Sequence, residues 1–288
     1  MKKIVLAFSV ALLSLAIGAA AFAADTAPVE RKLKHGYVQV YDLGPLTLHA
    51  YQTADLMADE AIVLETGKNL VAIESPPFTD NIAEWKEYLN GLGKPLTDIL
   101  ISYHPAGGKW YGQAKSHATE GAKKAITAGP TKALTESLGQ SFGTGFITDI
   151  PDIEANLTSG LNTVGGIEFD IIDAGDGYDI AIPAINVIYT HMLGADTHSI
   201  LAGPDHLRAV LASLENMKKK GYQLILSSHH TPEKQADVDT KIAYVKRVQA
   251  IAAENKTKDE FIAAIKKEYP DYQGDNYLDM TAGFFYGK

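Results

Sequence analysis

The chain has 288 residues, with 26 Lys and Arg against 35 Asp and Glu, nine histidines and no cysteine. The formal net charge of −9 and the lack of long basic runs argue against a nucleic-acid partner, whose phosphates attract clustered cations. Without cysteine, the sequence excludes disulfides, thiolate metal sites, iron–sulfur clusters and cysteine nucleophiles. A transition metal would therefore be bound by histidine and carboxylate.

The N-terminus has the pattern of a secretory signal peptide. Lys2 and Lys3 precede an apolar stretch over residues 4–22, and Ala21-Phe22-Ala23 matches an A-x-A cleavage site. A transmembrane anchor is the competing interpretation, because the stretch is about long enough to span a bilayer. The polar residues after the cleavage site favour removal of residues 1–23. We expect residues 24–288 to form a single periplasmic or secreted domain that acts on an unidentified small molecule, without a membrane association.

The first half of this domain is rich in short β-type runs. Strands are predicted at residues 37–41, 46–51, 61–65, 70–74 and 98–102. A tight turn, in which Gly67 and Asn69 can tolerate positive φ, is predicted between the third and fourth strands. Helices are predicted at residues 81–92, with Thr79 or Asp80 as N-cap, around 114–119 and at 130–138, with a short strand near 124–127.

The second half repeats this plan of strands followed by helices. Strands are predicted at residues 166–173, 178–182, 185–189 and 223–227, and helices at 205–220, 236–254 and 258–269. The last two helices are expected to close the chain. Two β-rich halves, each flanked by helices, indicate an α/β (α+β) fold class and a four-layer αββα sandwich around one continuous core.

Two segments in this order of elements carry a family resemblance. The first segment resembles the first half of a metallo-β-lactamase-fold protein. It begins with Leu70-Val71-Ala72-Ile73-Glu74 and continues through a helix and a strand to Tyr103-His104-Pro105-Ala106-Gly107-Gly108-Lys109-Trp110. Residues 181–190 and 224–232 resemble the strands that carry its later metal ligands. The resemblance covers nearly the whole predicted mature chain. It implies the metallo-β-lactamase fold, a zinc or other divalent ion as cofactor, and hydrolysis by a metal-activated water.

The resemblance departs from the family at most of its metal ligands. The family's H-x-H-x-D-H loop aligns with Ser102, His104, Ala106 and Gly107, so one ligand of that set is retained. No histidine occurs at residues 173–177, where the family's next metal histidine falls. The bridging aspartate aligns with His191 or Met192, and the last histidine with His229 or His230. We therefore expect that β-lactam hydrolysis itself is not the activity.

The remaining histidines suggest a rebuilt site. His104, His191, His198 and either His229 or His230 are the predicted ligands of a mononuclear metal site, with Asp196 as a ligand or catalytic base. Because successive residues of a strand point to opposite faces, one of His229 and His230 should face the cleft and the other away from it. The alternative is that these residues cap strands and hydrogen-bond to one another.

Further residues are assigned around this site. The predicted pocket residues are Glu74, at the strand end where the family has an acidic residue behind its metal loop, and Tyr103, Trp110 and Tyr189. His117 and His206 are predicted to be solvated on helices. His35 and His49 show no partner in the sequence.

Two functions follow from these observations, and the sequence leaves open whether the protein is an enzyme. The first is a non-standard metal-dependent hydrolase of metallo-β-lactamase fold. The alternative is a non-catalytic periplasmic pseudoenzyme that binds a small ligand or a partner in the vacated cleft. A compact histidine cluster would favour the hydrolase, whereas scattered histidines around an aromatic-filled cleft would favour binding.

Overall fold

The structure, a computed structural model, describes residues 27–287. The predicted signal peptide therefore lies outside the described residues. Within residues 27–287, no helix combines the length and apolar character needed to cross a membrane.

The first half of the described chain forms an eight-stranded sheet whose strands follow chain order. The strands are β1 (Val29–Lys32), β2 (Gly36–Asp42), β3 (Thr47–Thr53), β4 (Glu60–Glu65), β5 (Leu70–Ile73), β6 (Leu96–Leu100), β7 (Lys115–Thr119) and β8 (Glu154–Leu157). Strands β1 to β5 pair antiparallel, and β5 to β8 pair parallel. The helices of this half are α1 (Thr79–Gly91), α2 (Glu120–Ala128) and α3 (Pro130–Phe142).

The second half forms a five-stranded sheet in the spatial order β13-β12-β11-β10-β9. Its strands are β9 (Gly160–Val164), β10 (Ile167–Asp173), β11 (Tyr178–Ile182), β12 (Val187–Thr190) and β13 (Leu224–Ser227). Strands β12 and β13 pair parallel, because α4 (Pro204–Lys220) carries the chain back between them. The chain continues through α5 (Gln235–Glu254), α6 (Lys258–Glu268) and α7 (Asp275–Tyr286).

Alternation along the strands of the second sheet produces the layers. Val187 and Tyr189 pack into a core shared by both sheets, whereas Ile188 between them packs into a second core with helices α4 to α7. The first core also takes Trp85 from α1 and Ile126 from α2. The predicted fold class, a four-layer αββα sandwich, is therefore confirmed.

One predicted pair of elements is wrong. The predicted helix around residues 114–119 is strand β7, and the predicted strand near 124–127 lies inside helix α2. Strand β7 pairs with both β6 and β8, and four of its five residues are buried. Thr119 ends the strand and caps the helix, since its side chain accepts a hydrogen bond from the backbone of Ala122. Pairing with neighbouring strands decides this segment, and a local pattern does not contain that information.

Other local predictions also need correction. Helix α1 begins at Thr79, and Phe78 occupies the N-cap position without a side-chain hydrogen bond. The predicted 66–69 turn is present, and in it the Thr66 hydroxyl accepts hydrogen bonds from the backbone amides of Lys68 and Asn69. Strands β1, β8 and β9 and the final helix α7 were not predicted. The strands among them are largely exposed and carry little hydrophobic periodicity.

Two histidines have structural partners that the sequence did not show. His117 is buried on β7 rather than solvated on a helix, and its Nε2 lies 2.8 Å from Asp98 Oδ1. His49 lies between Tyr88, at 2.8 Å, and Glu65, at 2.9 Å. His206 is exposed on α4, as predicted.

Trp85 is the fully buried contact of α1 with the first sheet. Its ring stacks on Tyr51 at 5.1 Å and on Tyr88 at 5.4 Å. We expect Trp85→Ala to lower the free energy of unfolding by about 3–5 kcal/mol, because the large cavity cannot collapse fully. Urea denaturation measures this, with exposed Leu161→Ala as a control expected to stay within about 0.5 kcal/mol of the parent chain. A loss below about 1 kcal/mol for Trp85→Ala would contradict this packing.

Candidate metal centre

A single buried carboxylate organises the loop after β6. Glu74 follows β5 with a left-handed backbone (φ 61°) and is 1% exposed. Its Oε1 accepts hydrogen bonds from the backbone amides of Ser102 and Tyr103, at 3.1 and 2.7 Å. Its Oε2 accepts from the amide of His104 at 3.0 Å. Burial raises the pKa of Glu74, and these donors oppose the rise by stabilising the carboxylate.

The same carboxylate reaches the second sheet through Tyr189. The Tyr189 hydroxyl donates to Glu74 Oε1 at 2.9 Å and lies 2.5 Å from Ser228 Oγ. Tyr189 lies two residues before His191, and Ser228 immediately precedes His229. Glu74 thus holds three histidine-bearing segments in one hydrogen-bonded network.

Three histidines converge at the ends of β6, β12 and β13. One ligand atom each from His104, His191 and His229 lie within 4.8 Å of one another. The Nε2 atoms of His104 and His191 are 3.3 Å apart, and the rings of His104 and His229 have centroids 4.5 Å apart. We call this group the histidine triad.

Two of the triad histidines, His104 and His191, have lowered pKa values that favour the neutral imidazole. Removal from solvent, together with repulsion from the neighbouring histidines, lowers the pKa of His104 well below its ordinary value. Desolvation and the charge of His229 lower the pKa of His191 to about 4. Neutral imidazole is the form that binds a metal ion.

Asp59 lies behind two of the triad imidazoles. Its Oδ1 is 3.0 Å from His229 Nδ1 and 3.8 Å from His104 Nδ1. Asp59 is 2% exposed, and neither carboxylate oxygen has a well-directed hydrogen bond within the described residues. Burial raises its pKa, and His229 opposes the rise. A carboxylate at the Nδ1 edges leaves the Nε2 edges free for a ligand role.

The backbone holds Asp59 in this place. The amide of Glu60 donates to the carbonyl of Ser228 at 2.7 Å, so the start of β4 is tied to the residue before His229. The sequence analysis missed Asp59. The available signal was an acidic pair, Asp59-Glu60, directly before the apolar residues 61–64 of β4.

Two predicted ligands lie outside the triad. His198 is 1% exposed, and its Nδ1 lies 2.8 Å from the hydroxyl of Tyr244. His230 points away from His229, with its Nε2 3.0 Å from Asp196 Oδ1. Of the two neighbouring histidines, His229 therefore faces the triad, as expected for one of them, although both lie in the bend after β13 ends at Ser227 and strand alternation is not the cause.

Asp196, the predicted catalytic residue, is paired elsewhere. Its side chain is 67% exposed and bonded to His230. Burial favours the protonated form slightly, but the hydrogen bond and charge of His230 lower the pKa of Asp196. Burial also disfavours the charged form of His230, but the carboxylates of Glu233 and Asp196 outweigh it and raise the pKa of His230. Asp196 therefore forms an ion pair at the surface and stands outside the triad.

The predicted pocket residues divide into one that lines the cavity and three that support it. Tyr103 lines the cavity, with its ring 4.9 Å from that of His191. Glu74 and Tyr189 are buried behind the cavity wall. Trp110 is also buried, and its Nε1 donates to Ser75 Oγ at 2.8 Å.

The other positions of the aligned metal loop have structural roles. Ser102 Oγ donates to the carbonyl of Tyr178 at 2.6 Å and accepts from its amide at 2.7 Å, which links the two sheets. Gly107 has φ 104°, and a side chain there would bring its Cβ within 2.6 Å of the carbonyl of Pro76. A histidine at position 107 would therefore require the backbone to move.

A cavity of about 840 Å³ opens in front of the triad. The three histidines and Asp59 form its polar base. Apolar side chains from α3, α4 and α7 also line it.

The loop after β12 is held from beneath by a buried lysine. Lys241 Nζ donates to the carbonyls of Gly194 and Thr197, at 2.8 and 2.6 Å. Glu233 accepts from the amides of Gly194 and Ala195, at 2.9 and 2.7 Å. Burial lowers the pKa of Lys241 to about 7, against the opposing charge of Glu233.

The comparisons with known proteins agree with this architecture. The sequence matches no family model and no curated protein. The structure is similar to a metallo-β-lactamase family protein from Thermus thermophilus, with a TM-score of 0.60, 16% identity, and coverage of 84% of this chain and 92% of that one. It is also similar to a metallo-β-lactamase from Erythrobacter litoralis, with a TM-score of 0.51, 12% identity, and coverage of 76% and 100%.

A further similar structure is a double mutant of the sec-alkyl sulfatase PisA1, with a TM-score of 0.53 and 15% identity. The match covers 89% of this chain and 50% of that one. The expectation from the resemblance is confirmed at the level of architecture: the chain has the metallo-β-lactamase fold.

The pKa of Lys241 predicts a pH dependence of stability. The unfolded lysine keeps its proton up to about pH 10.4, whereas the native one loses it near pH 7. Above pH 7 the unfolded state binds more protons, so the free energy of unfolding should rise by about 1.4 kcal/mol per pH unit relative to Lys241→Met. Urea denaturation of both proteins between pH 6 and about pH 9 measures this difference. The exposed Lys246→Met should keep the parental slope, and a pH-independent difference for Lys241→Met would contradict the prediction.

Proposed function

We propose that this protein is a metal-dependent hydrolase whose divalent ion is held by His104, His191 and His229, with zinc as the first candidate for that ion. The observation that carries the proposal is the convergence of three ligand atoms within 4.8 Å, from three strand ends. Three histidines with a remaining open position are a donor set of catalytic zinc sites. Imidazole also suits zinc better than it suits calcium or magnesium.

The surroundings of the triad fit this assignment. Asp59 faces the Nδ1 atoms of His229 and His104 and would hold both rings in the orientation that directs Nε2 to an ion. This role would also account for the two Asp59 carboxylate oxygens, which are buried without a well-directed hydrogen bond among the described residues. A bound divalent ion supplies Lewis-acid polarisation of the substrate and a lowered pKa for water.

The chain's own residues supply positioning and exclusion of solvent. Glu74 sets the backbone of His104, and through Tyr189 and Ser228 it sets the two other ligand segments. Tyr103 narrows the cavity beside His191. These contacts hold the site in one arrangement before a substrate binds. The free energy needed to order the site is therefore supplied during folding and not during the reaction.

The names of the similar structures support hydrolysis as the reaction class. They include metallo-β-lactamases and a sec-alkyl sulfatase. We further propose that the ligand set has diverged from the family's loop and that β-lactams are not the substrate. Three of the loop's ligand positions hold Ser102, Ala106 and Gly107. Ser102 links the two sheets by its hydrogen bonds, and Gly107 leaves no room for a side chain.

Metal binding tests the proposal directly. Zinc at about 100 times its Kd should stabilise the native protein by about 2.7 kcal/mol, seen as a higher melting temperature. Zinc affinity should fall by more than about 100-fold in each of the variants His104→Ala, His191→Ala and His229→Ala. Removal of a metal ligand weakens binding more than removal of a residue that only hydrogen-bonds to a ligand. His230→Ala is the matched control and should retain parental affinity.

Binding of less than about 0.1 equivalent of zinc by calorimetry, or equal affinity in all four variants, would remove the basis of the proposal. Tight zinc binding without turnover of any ester or sulfate ester would instead favour the non-catalytic binding protein.

Asp59 tests the orientation of the triad separately. Asp59→Asn keeps the shape of the side chain but removes its charge, so zinc affinity should fall about 10–100-fold without loss of the fold. Asp196→Asn is the control and should bind zinc as the parent chain does. Isothermal titration with zinc measures both variants. An effect of Asp196→Asn equal to that of Asp59→Asn would show that the orienting carboxylate has been misassigned.

A further inference from the structure

The larger part of the cavity lining outside the histidine triad is apolar. Helix α3 contributes Leu134, Leu138 and Phe142, which recur every four residues and therefore form one stripe along the helix. Thr135 is the only buried residue of α3, so this stripe is not covered by the sheet. The stripe faces the cavity instead of a protein core.

Other helices and loops add apolar side chains to the lining. Val210 and Leu214 of α4 line the cavity, with Met280 of α7. Eight large hydrophobic residues are exposed in the described part of the chain. Four of them line this one cavity: Leu56 at 83%, Leu134 at 59%, Ile200 at 38% and Met280 at 48% exposed. Such a concentration of exposed apolar side chains marks a binding groove. We call this surface the apolar groove.

The cavity combines ionisable and apolar side chains in one lining. The histidine triad and Asp59 contribute ionisable groups, and the stripe of α3 contributes aliphatic and aromatic groups. A ligand that fits this lining has a reactive polar group and a hydrocarbon group. Burial of each methylene of that hydrocarbon would contribute about 0.8 kcal/mol to binding, which makes affinity depend on chain length.

We propose that the substrate is a carboxylic ester with a long hydrocarbon acyl chain, which lies in the apolar groove with its ester at the triad. This inference rests on the proposed hydrolase function and names its substrate class. Hydrolysis joins the oxygen of water to the acyl carbon and breaks the bond from that carbon to the alcohol oxygen. One proton of the water goes to the alcohol, and the other is released as the acid ionises.

The groove is tested first without metal or catalysis. Dodecanoate should displace the apolar dye Nile red from the purified protein, and acetate at the same concentration should not. Leu134→Asp and Met280→Asp should each weaken dodecanoate binding about tenfold or more, because binding of the ligand would cover a carboxylate with hydrocarbon. The matched control is Leu161→Asp, since Leu161 is 63% exposed but lies on β9, outside the cavity. Circular dichroism verifies that all variants are folded.

Turnover is tested next with the zinc-loaded protein. The kcat/KM for p-nitrophenyl dodecanoate should exceed that for p-nitrophenyl acetate, and Leu134→Asp should lower the long-chain value while Leu161→Asp retains it. Equal displacement of the dye by dodecanoate and acetate, or equal effects of Leu134→Asp and Leu161→Asp, would overturn the proposed substrate class. Dodecanoate binding without turnover of either ester would overturn the carboxylic-ester substrate but not the groove, and the hydrolase proposal would then depend on the zinc-binding and sulfate-ester tests above.

A second copy of the chain is the competing occupant of this surface. Sedimentation velocity distinguishes it. A dimer that Leu134→Asp dissociates, with unchanged dodecanoate binding, would assign the groove to self-association and overturn the proposal. A monomer at all concentrations supports it.

Discussion

The buried carboxylate of Glu74 is the interaction on which the candidate site depends. A carboxylate that is 1% exposed is stable only where donors surround it, and here three backbone amides and the Tyr189 hydroxyl do so. Because the donors come from both sheets, the requirement to satisfy one buried charge fixes the relative placement of the strand ends. His104 is positioned directly by this contact, and His229 through the adjacent Ser228.

The site is a product of sheet packing rather than of any one segment. His104 comes from the first sheet, and His191 and His229 come from the second. Asp59 joins them because the backbone of Glu60 is bonded to that of Ser228. Lys241 and Glu233 hold the loop that continues from His191. A shift of either sheet relative to the other would therefore move the triad ligands apart.

Two kinds of surface line the cavity. The histidine triad and Asp59 are the groups suited to hold an ion. The apolar groove presents exposed hydrocarbon that a folded chain would otherwise bury. Leaving Leu134 and Met280 exposed costs stability, since their burial would have been favourable. A groove maintained at that cost is consistent with a hydrophobic ligand as its occupant.

The sequence by itself determined most strands and helices, the αββα layers and the candidate histidines, because periodicities of two and 3.6 residues report which face is buried. It placed His104 and one of His229 and His230 at strand ends, and it favoured Glu74 as a supporting acid. Tertiary structure decided the rest. The β7–α2 segment depends on pairing with β6 and β8. The choice of His191 over His198, and the place of Asp59 behind the triad, depend on distances between residues far apart in the chain. Those distances follow from how two sheets pack, and no local pattern contains them.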